Sequence, residues 1–247
     1  MADTQSFPGV AAPGGPKATV ILGGFLSHPS FYTDMKERIE ALSGSEARIV
    51  PVSPSFWPVT AFPRGWKSVL NRLDRALGKL QELMEGVQVT LVGHSIGGVL
   101  GRLYLHFPAA VQHGWQRQGS ITRLVTLGSP HINRRRWTHG GQISRTAEYW
   151  ARTSPIRKNV DIICIAGKKI LGNRRGNFLQ RRALAAYKRI GGEGEVWGDG
   201  IIPVESALLP GANHIVLEDA AHYSPSGGAW YGKADVVSRW WRMIDSV

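Results

Sequence analysis

Residues 87–98 read Val-Gln-Val-Thr-Leu-Val-Gly-His-Ser-Ile-Gly-Gly, an apolar run followed at once by Gly93-His94-Ser95-Ile96-Gly97-Gly98. The run Val87–Val92 predicts a short strand covered on both faces, and Ile96–Phe107 continues in a helical pattern. Between them the G-x-S-x-G spacing marks a sharp strand-to-helix turn. Such a turn lifts the serine hydroxyl above the sheet, and the flanking glycines permit backbone approach that a Cβ would block. The helix beginning at Ile96 aims free N–H groups and its positive dipole end at that serine, which suits a developing oxyanion. Ser95 is therefore read as a candidate nucleophile, against the alternative of a turn serine.

Five further strands are predicted around this one: Ala18–Leu22, Ala47–Val52, Ile121–Leu127, Val160–Ala166 and His214–Leu217. Each is short and apolar through its centre. Helical patterns fall at Phe31–Leu42, Gly65–Met84, Phe178–Ile190 and Ala234–Ile244. In the second, Trp66, Val69, Leu70, Leu73, Leu77, Leu80 and Leu83 recur at three- and four-residue steps with charges between. Strand–helix alternation predicts an α/β fold, a mostly parallel sheet of about six strands with helices on both faces. Residues 1–16, rich in Gly, Pro and Ala, read as a flexible tail, and 17–247 as one domain with inserts at about 131–159 and 168–198.

Composition narrows the function. Cys164 is the only cysteine, so an internal disulfide or a multi-cysteine zinc cluster is excluded, and its apolar strand makes it a core residue. No apolar run reaches the ~18 residues a membrane span requires. The N-terminus lacks the basic start and apolar stretch of a secretory signal, so an intracellular protein is expected. The net charge of +12 is concentrated: residues 134–189 carry 15 Lys/Arg against two acids, Glu148 and Asp161. Such a field attracts anionic membranes, nucleic acid or acidic substrates, or it is a solvated face. No phosphate-cradling loop is present, since Gly93–Gly98 lacks the Lys-Ser/Thr ending. His94 and His131 flank the predicted site without acidic companions and make no persuasive metal site.

Four stretches carry a family resemblance: Gly23-Gly24-Phe25, Gly93–Gly98, Thr126-Leu127-Gly128-Ser129-Pro130-His131 and Gly198-Asp199-Gly200-Ile201-Ile202-Pro203. Over residues 17–245 the chain resembles the lipase-like branch of the α/β-hydrolase superfamily. It is similar there to inositol deacylases that act on lipid anchors and to lipase-like hydrolases of cyanobacteria and plastids. The basic insert after Thr126–His131 is not part of that pattern. The resemblance implies an α/β-hydrolase fold, chemistry without a cofactor, and a cytoplasmic or plastid-stroma-like location, peripheral to a membrane.

In that fold the acid and then the base follow the nucleophile along the chain, and the base leaves the last strand. Six histidines follow Ser95. His113 precedes a strand, His139 lies in the basic insert, and His214 opens the last strand; His222, just beyond that strand, is the leading base. A base needs a carboxylate to orient it. Asp199, between flanking glycines, is the leading acid, with Glu218 and Asp219 as fallbacks. Asp161 opens its strand at the wrong end of the sheet, and a plain Asp-Gly turn remains the bland reading of Asp199. One oxyanion donor is expected from the amide of Ile96, the other from the loop after the first strand. By resemblance to lipases that donor is Phe25, with Leu26 as the alternative, although the histidine heading the lipase loop is Gly23 here.

The aromatic loop 53–63 is expected to pack or to wall an acyl pocket, and the segment after Pro130, with Arg134, Arg135, Arg136, Trp137, Tyr149, Trp150 and Arg152, to act as a lid. Basic and aromatic content suits an anionic lipid surface, so acyl-ester or lipid substrates and a membrane contact through 134–189 are expected, and nucleic acid is not. The expected activity is serine ester hydrolysis through an acyl-enzyme. Its alternatives are a thioesterase or acyltransferase with the same three residues, and a non-catalytic lipid-binding module.

Overall fold

The computed structural model describes residues 11–62, 64–107, 115, 117–134, 139–154, 160–191, 195–224 and 228–246. The sheet holds β1 (Lys17–Leu22), β2 (Glu46–Ile49), β3 (Gln88–His94), β4 (Ile121–Leu127), β5 (Asp161–Gly167) and β8 (Asn213–Leu217), all parallel, in the order β2-β1-β3-β4-β5-β8. A two-residue antiparallel pair, β6 (Ile170–Leu171) and β7 (Trp197–Gly198), stands apart.

Alternation along the strands divides the core. Val20, Leu22, Leu91 and Leu124 face α2 (Trp66–Leu83) and α3 (Ile96–His106), while Ile21, Val92, Val125 and Ile163 face α1 (Thr33–Ser43) and α7 (Ala234–Met243). On α2 the seven-residue stripe is buried except for Leu83, which is exposed at the helix end. Truncating one such buried Leu to Ala costs about 2–5 kcal/mol. The parallel sheet with helices on both faces is thus found, its six strands at the predicted places to within a few residues.

Several details differ from the sequence expectation. The segment Phe31–Leu42 splits into a 3₁₀ turn, Pro29–Tyr32, and α1. The loop after β2 winds into a 3₁₀ helix, Pro54–Ala61, whose Trp57 is fully buried. The segment after Pro130 contains α4 (His139–Thr153), with Ile143 and Ala147 buried in the same core as α3; Arg135, Arg136 and Trp137 lie outside the described residues. The second insert holds α5 (Phe178–Ile190), as predicted, and a short helix, α6 (Val204–Ala207), precedes β8. Of the stretch read as a tail, residues 1–10 lie outside the described set. Residues 11–16 are bound to the domain: Ala11 donates to Gly119 O at 3.0 Å, Ala12 to Gly86 O at 2.9 Å, and Pro16 O accepts from Gln88 at 2.8 Å.

Candidate active site

At the end of β3 the backbone turns through Ser95, which has φ 55° and ψ −130°, a left-handed region that a non-glycine residue rarely adopts. Holding it there costs on the order of 1–3 kcal/mol, compensated by its surroundings. Its N–H donates to Leu127 O at 2.9 Å. A Cβ on Gly93 would collide with the Gly98 backbone, and one on Gly97 with the carbonyl oxygens of Leu22 and Gly23. Those contacts seat the start of α3 against the ends of β1 and β3, which fixes where Ser95 points.

The loop leaving β8 brings His222 over that turn. His222 Nε2 lies 3.0 Å from Ser95 Oγ and Nδ1 lies 2.8 Å from Asp199 Oδ2. A carboxylate only accepts, so Nδ1 carries the proton and Nε2 presents its lone pair to the serine. The His222 amide also donates to the Asp199 carbonyl at 2.9 Å, locking the two loops together. Both His222 and Asp199 are buried.

Asp199 is surrounded by donors. Its Oδ1 accepts from the amides of Ile201 (3.0 Å) and Ile202 (2.7 Å), and Oδ2 accepts from the Tyr231 hydroxyl (2.9 Å) as well as His222. Burial and the neighbouring Asp199 push the Tyr231 phenol well above its ordinary range, so it stays a donor. In turn it accepts from Gly167 N–H at 2.6 Å. The fallback residues are engaged elsewhere. Asp219 pairs with Arg239, Glu218 with Lys168 and Asp161 with Arg123, while His214 is bonded to Leu209 O. His113 and the side chain of His139 lie outside the described residues.

The loop after β1 lies directly against the serine: a Cβ on Gly24 would stand 2.9 Å from Ser95 Cβ and 3.3 Å from His94 Nδ1. Tyr32 OH accepts the Gly24 N–H at 2.8 Å, so that amide is not free for an oxyanion, and Leu26 next door takes φ 59°. The Ile96 amide, first in α3, has no helical carbonyl to bond. Two residues that the sequence reading left without a role complete the surroundings. His94 Nδ1 lies 2.9 Å from Tyr32 OH, and its Nε2 lies 3.0 Å from the His222 carbonyl. Burial, then the charge of a protonated His222, holds the His94 imidazole well below its ordinary pKa.

A cleft of about 680 Å³ opens over Ser95 and His222, walled by Phe25, Leu26, Phe31, Ile201 and Tyr223. No Lys, Arg, Asp or Glu lines it among the described residues. None of the described residues 53–62 lines it either; Trp57 instead supports Phe25 from behind, ring centroids 5.8 Å apart. A larger cavity, about 870 Å³, lies at the sheet edge between α1, β2 and α2 and contains none of these residues. Among the described residues no group of three His, Cys, Asp or Glu is placed to hold a metal, and no helix is long and apolar enough to cross a membrane.

A family model described as the PGAP1-like alpha/beta domain matches residues 67–175. Comparison with curated proteins gives no match. Among solved structures the chain is similar to a proposed cell surface hydrolase of Lactobacillus plantarum, at 13% identity and TM-score 0.53 over 94% of this chain and 92% of that one. It is similar to phospholipase PlaB of Legionella pneumophila, solved with thio-NAD, at 13% identity and TM-score 0.56 over 93% of this chain, spanning 63% of that protein. A proposed hydrolase of the alpha/beta superfamily from Xanthomonas campestris matches at 15% identity and TM-score 0.50, over 93% and 99%. The parallel sheet, the strained serine turn and these likenesses agree on an α/β-hydrolase fold, within which residues 67–175 match the PGAP1-like alpha/beta domain.

Proposed function

We propose that the protein is a serine hydrolase of carboxylic acyl esters, lipid esters foremost, working through an acyl-enzyme. The observation that carries this reading is the row from Ser95 Oγ to His222 Nε2 (3.0 Å) and from His222 Nδ1 to Asp199 (2.8 Å). Ser95 Oγ attacks the ester carbonyl as His222 Nε2 takes its proton, and Asp199 stabilises the imidazolium. The amides of Ile96 and Phe25 hold the oxyanion; one such donor contributes about 2.7–4 kcal/mol. His222 then protonates the departing alkoxide, and water, deprotonated by the same nitrogen, releases the acid from the serine. An uncharged, partly aromatic cleft suits an acyl chain better than a charged group. The fold shared with a phospholipase is in keeping with that substrate class.

Labelling with a fluorophosphonate probe tests the reading. Wild type is expected to label and Ser95→Ala not to, and absence of label on folded wild type overturns it. A panel of esters graded in chain length, with a matched thioester, then separates lipid-ester from small-ester and thioester preference.

A further inference from the structure

The start of α5 presents an apolar tip in a basic collar. Phe178 is 63% exposed and Leu179 59%, although the opposite face of the same helix buries Ala183, Leu184 and Tyr187. The pair therefore contributes nothing to the core. Around it stand Arg174, Arg175, Arg181 and Arg182, all exposed, and none forms an ion pair among the described residues. Along the chain no Asp or Glu occurs between Asp161 and Glu193. The Arg182 guanidinium lies 5.6 Å from the Phe178 ring, and Arg181 Nη1 donates to Gly176 O at 2.9 Å, which holds the charges beside the apolar pair. A surface built only for solubility intersperses both signs and keeps large apolar side chains singly placed.

We infer that this tip, Arg174–Arg182, is a docking surface for an anionic lipid bilayer. Phe178 and Leu179 enter the boundary between headgroups and acyl chains while the four arginines pair with lipid phosphates. A duplex bound through its phosphates would use the arginines and leave Phe178 and Leu179 in water, whereas a bilayer takes up both the charges and the apolar pair. The surface is bonded to the proposed hydrolytic site. Tyr187, on the same helix, accepts from the Gly200 amide and donates to Ile170 O, each at 2.9 Å, and Gly200 follows Asp199. Docking does not depend on hydrolysis, so it can be tested with the serine removed.

The experiment is flotation of the Ser95→Ala protein with vesicles of phosphatidylcholine alone and of phosphatidylcholine mixed with phosphatidylglycerol. Stronger binding to the mixed vesicles, weakening with salt, is expected. Each Arg→Gln change in the collar should lower that affinity about five-fold. The double change Phe178→Ser and Leu179→Ser keeps every charge and should still lower it at least about ten-fold. All of these side chains are exposed, so an unaltered thermal midpoint should accompany the losses. Equal binding to both vesicle types, or a Phe178/Leu179 variant that binds as wild type does, overturns the inference. Capture by duplex DNA that needs the arginines but not the apolar pair, without vesicle binding, overturns it in favour of a polyanion site.

Discussion

His94 is buried, and with its pKa pressed well below the ordinary value it carries one proton. The His222 carbonyl can only accept, so that proton sits on Nε2, and Nδ1 is an acceptor facing the Tyr32 hydroxyl, whose single proton it shares with Ser27 Oγ at 3.0 Å. The oxygen of the same hydroxyl accepts the Gly24 amide. One string of hydrogen bonds thus runs from the backbone of the loop beside Ser95 to the backbone of the proposed base. Tyr32→Phe cuts it and leaves Gly24 N–H and His94 Nδ1 unpaired in a dry place, so stability should fall by about 1–3 kcal/mol for each group left unsatisfied. Small misplacements of reacting groups are costly, so kcat on a short ester should fall about ten- to a hundred-fold with KM little changed. An unaltered kcat would show the string to be packing only. Ser95, Asp199 and His222 could be singled out from the chain because glycines and strand ends mark them. Tyr32, His94 and Tyr231 could not be, since their partners are up to 128 residues away and leave no local pattern.

Elements were legible to the degree that burial wrote their pattern. The six strands of the main sheet are short apolar runs because the central ones are covered on both sides. β6 and β7, two residues each, are too short to show a period. For α4 the signal was present: Ile143, Ala147 and Trp150 repeat at helical steps, but the arginines around them suggested a lid. The aromatics of segment 53–63 fit packing or a pocket wall equally, and Trp57 is spent on packing against Phe25. The junction of β1 and α3 gives a sharper expectation. A methyl at Gly97 has nowhere to go, because the atoms it meets are the main-chain carbonyls of Leu22 and Gly23 rather than a movable side chain. Gly97→Ala should cost about 1–3 kcal/mol or more, read as a lower urea midpoint at unchanged slope. Gly140→Ala on α4 meets atoms no nearer than 3.8 Å and should be neutral or mildly stabilising. Equal midpoints for the two variants would mean that the close seating of α3 on β1 is not maintained in solution.

Across the whole molecule, buried neutral histidines couple folding to pH. Burial, followed by the Arg102 guanidinium, lowers His131 from its ordinary 6.5 to about 3, and His94 is also depressed. Arg102 is itself buried, with Nε and Nη1 unpartnered, so its charge acts on His131 with little screening. The folded pKa lies below the unfolded one, so between these values the unfolded chain binds the proton and the folded chain does not. The contribution of His131 is therefore complete above about pH 6.5 and declines as the pH falls toward 3, by about 1.4 kcal/mol per pH unit, and that of His94 declines in the same direction. The general repulsion of a chain at +12 also grows in acid, so the total slope cannot be assigned to His131 alone. His131→Gln isolates it. The amide can keep the bond to Thr126 Oγ1 that His131 Nε2 makes at 3.0 Å, but it does not titrate. Urea unfolding across pH 4 to 7 should show the variant losing stability less steeply than wild type, by about one proton's worth or 1.4 kcal/mol per pH unit. Parallel curves would mean that His131 is already protonated in the folded protein at those pH values, with Arg102 shielded or its charge met by another group.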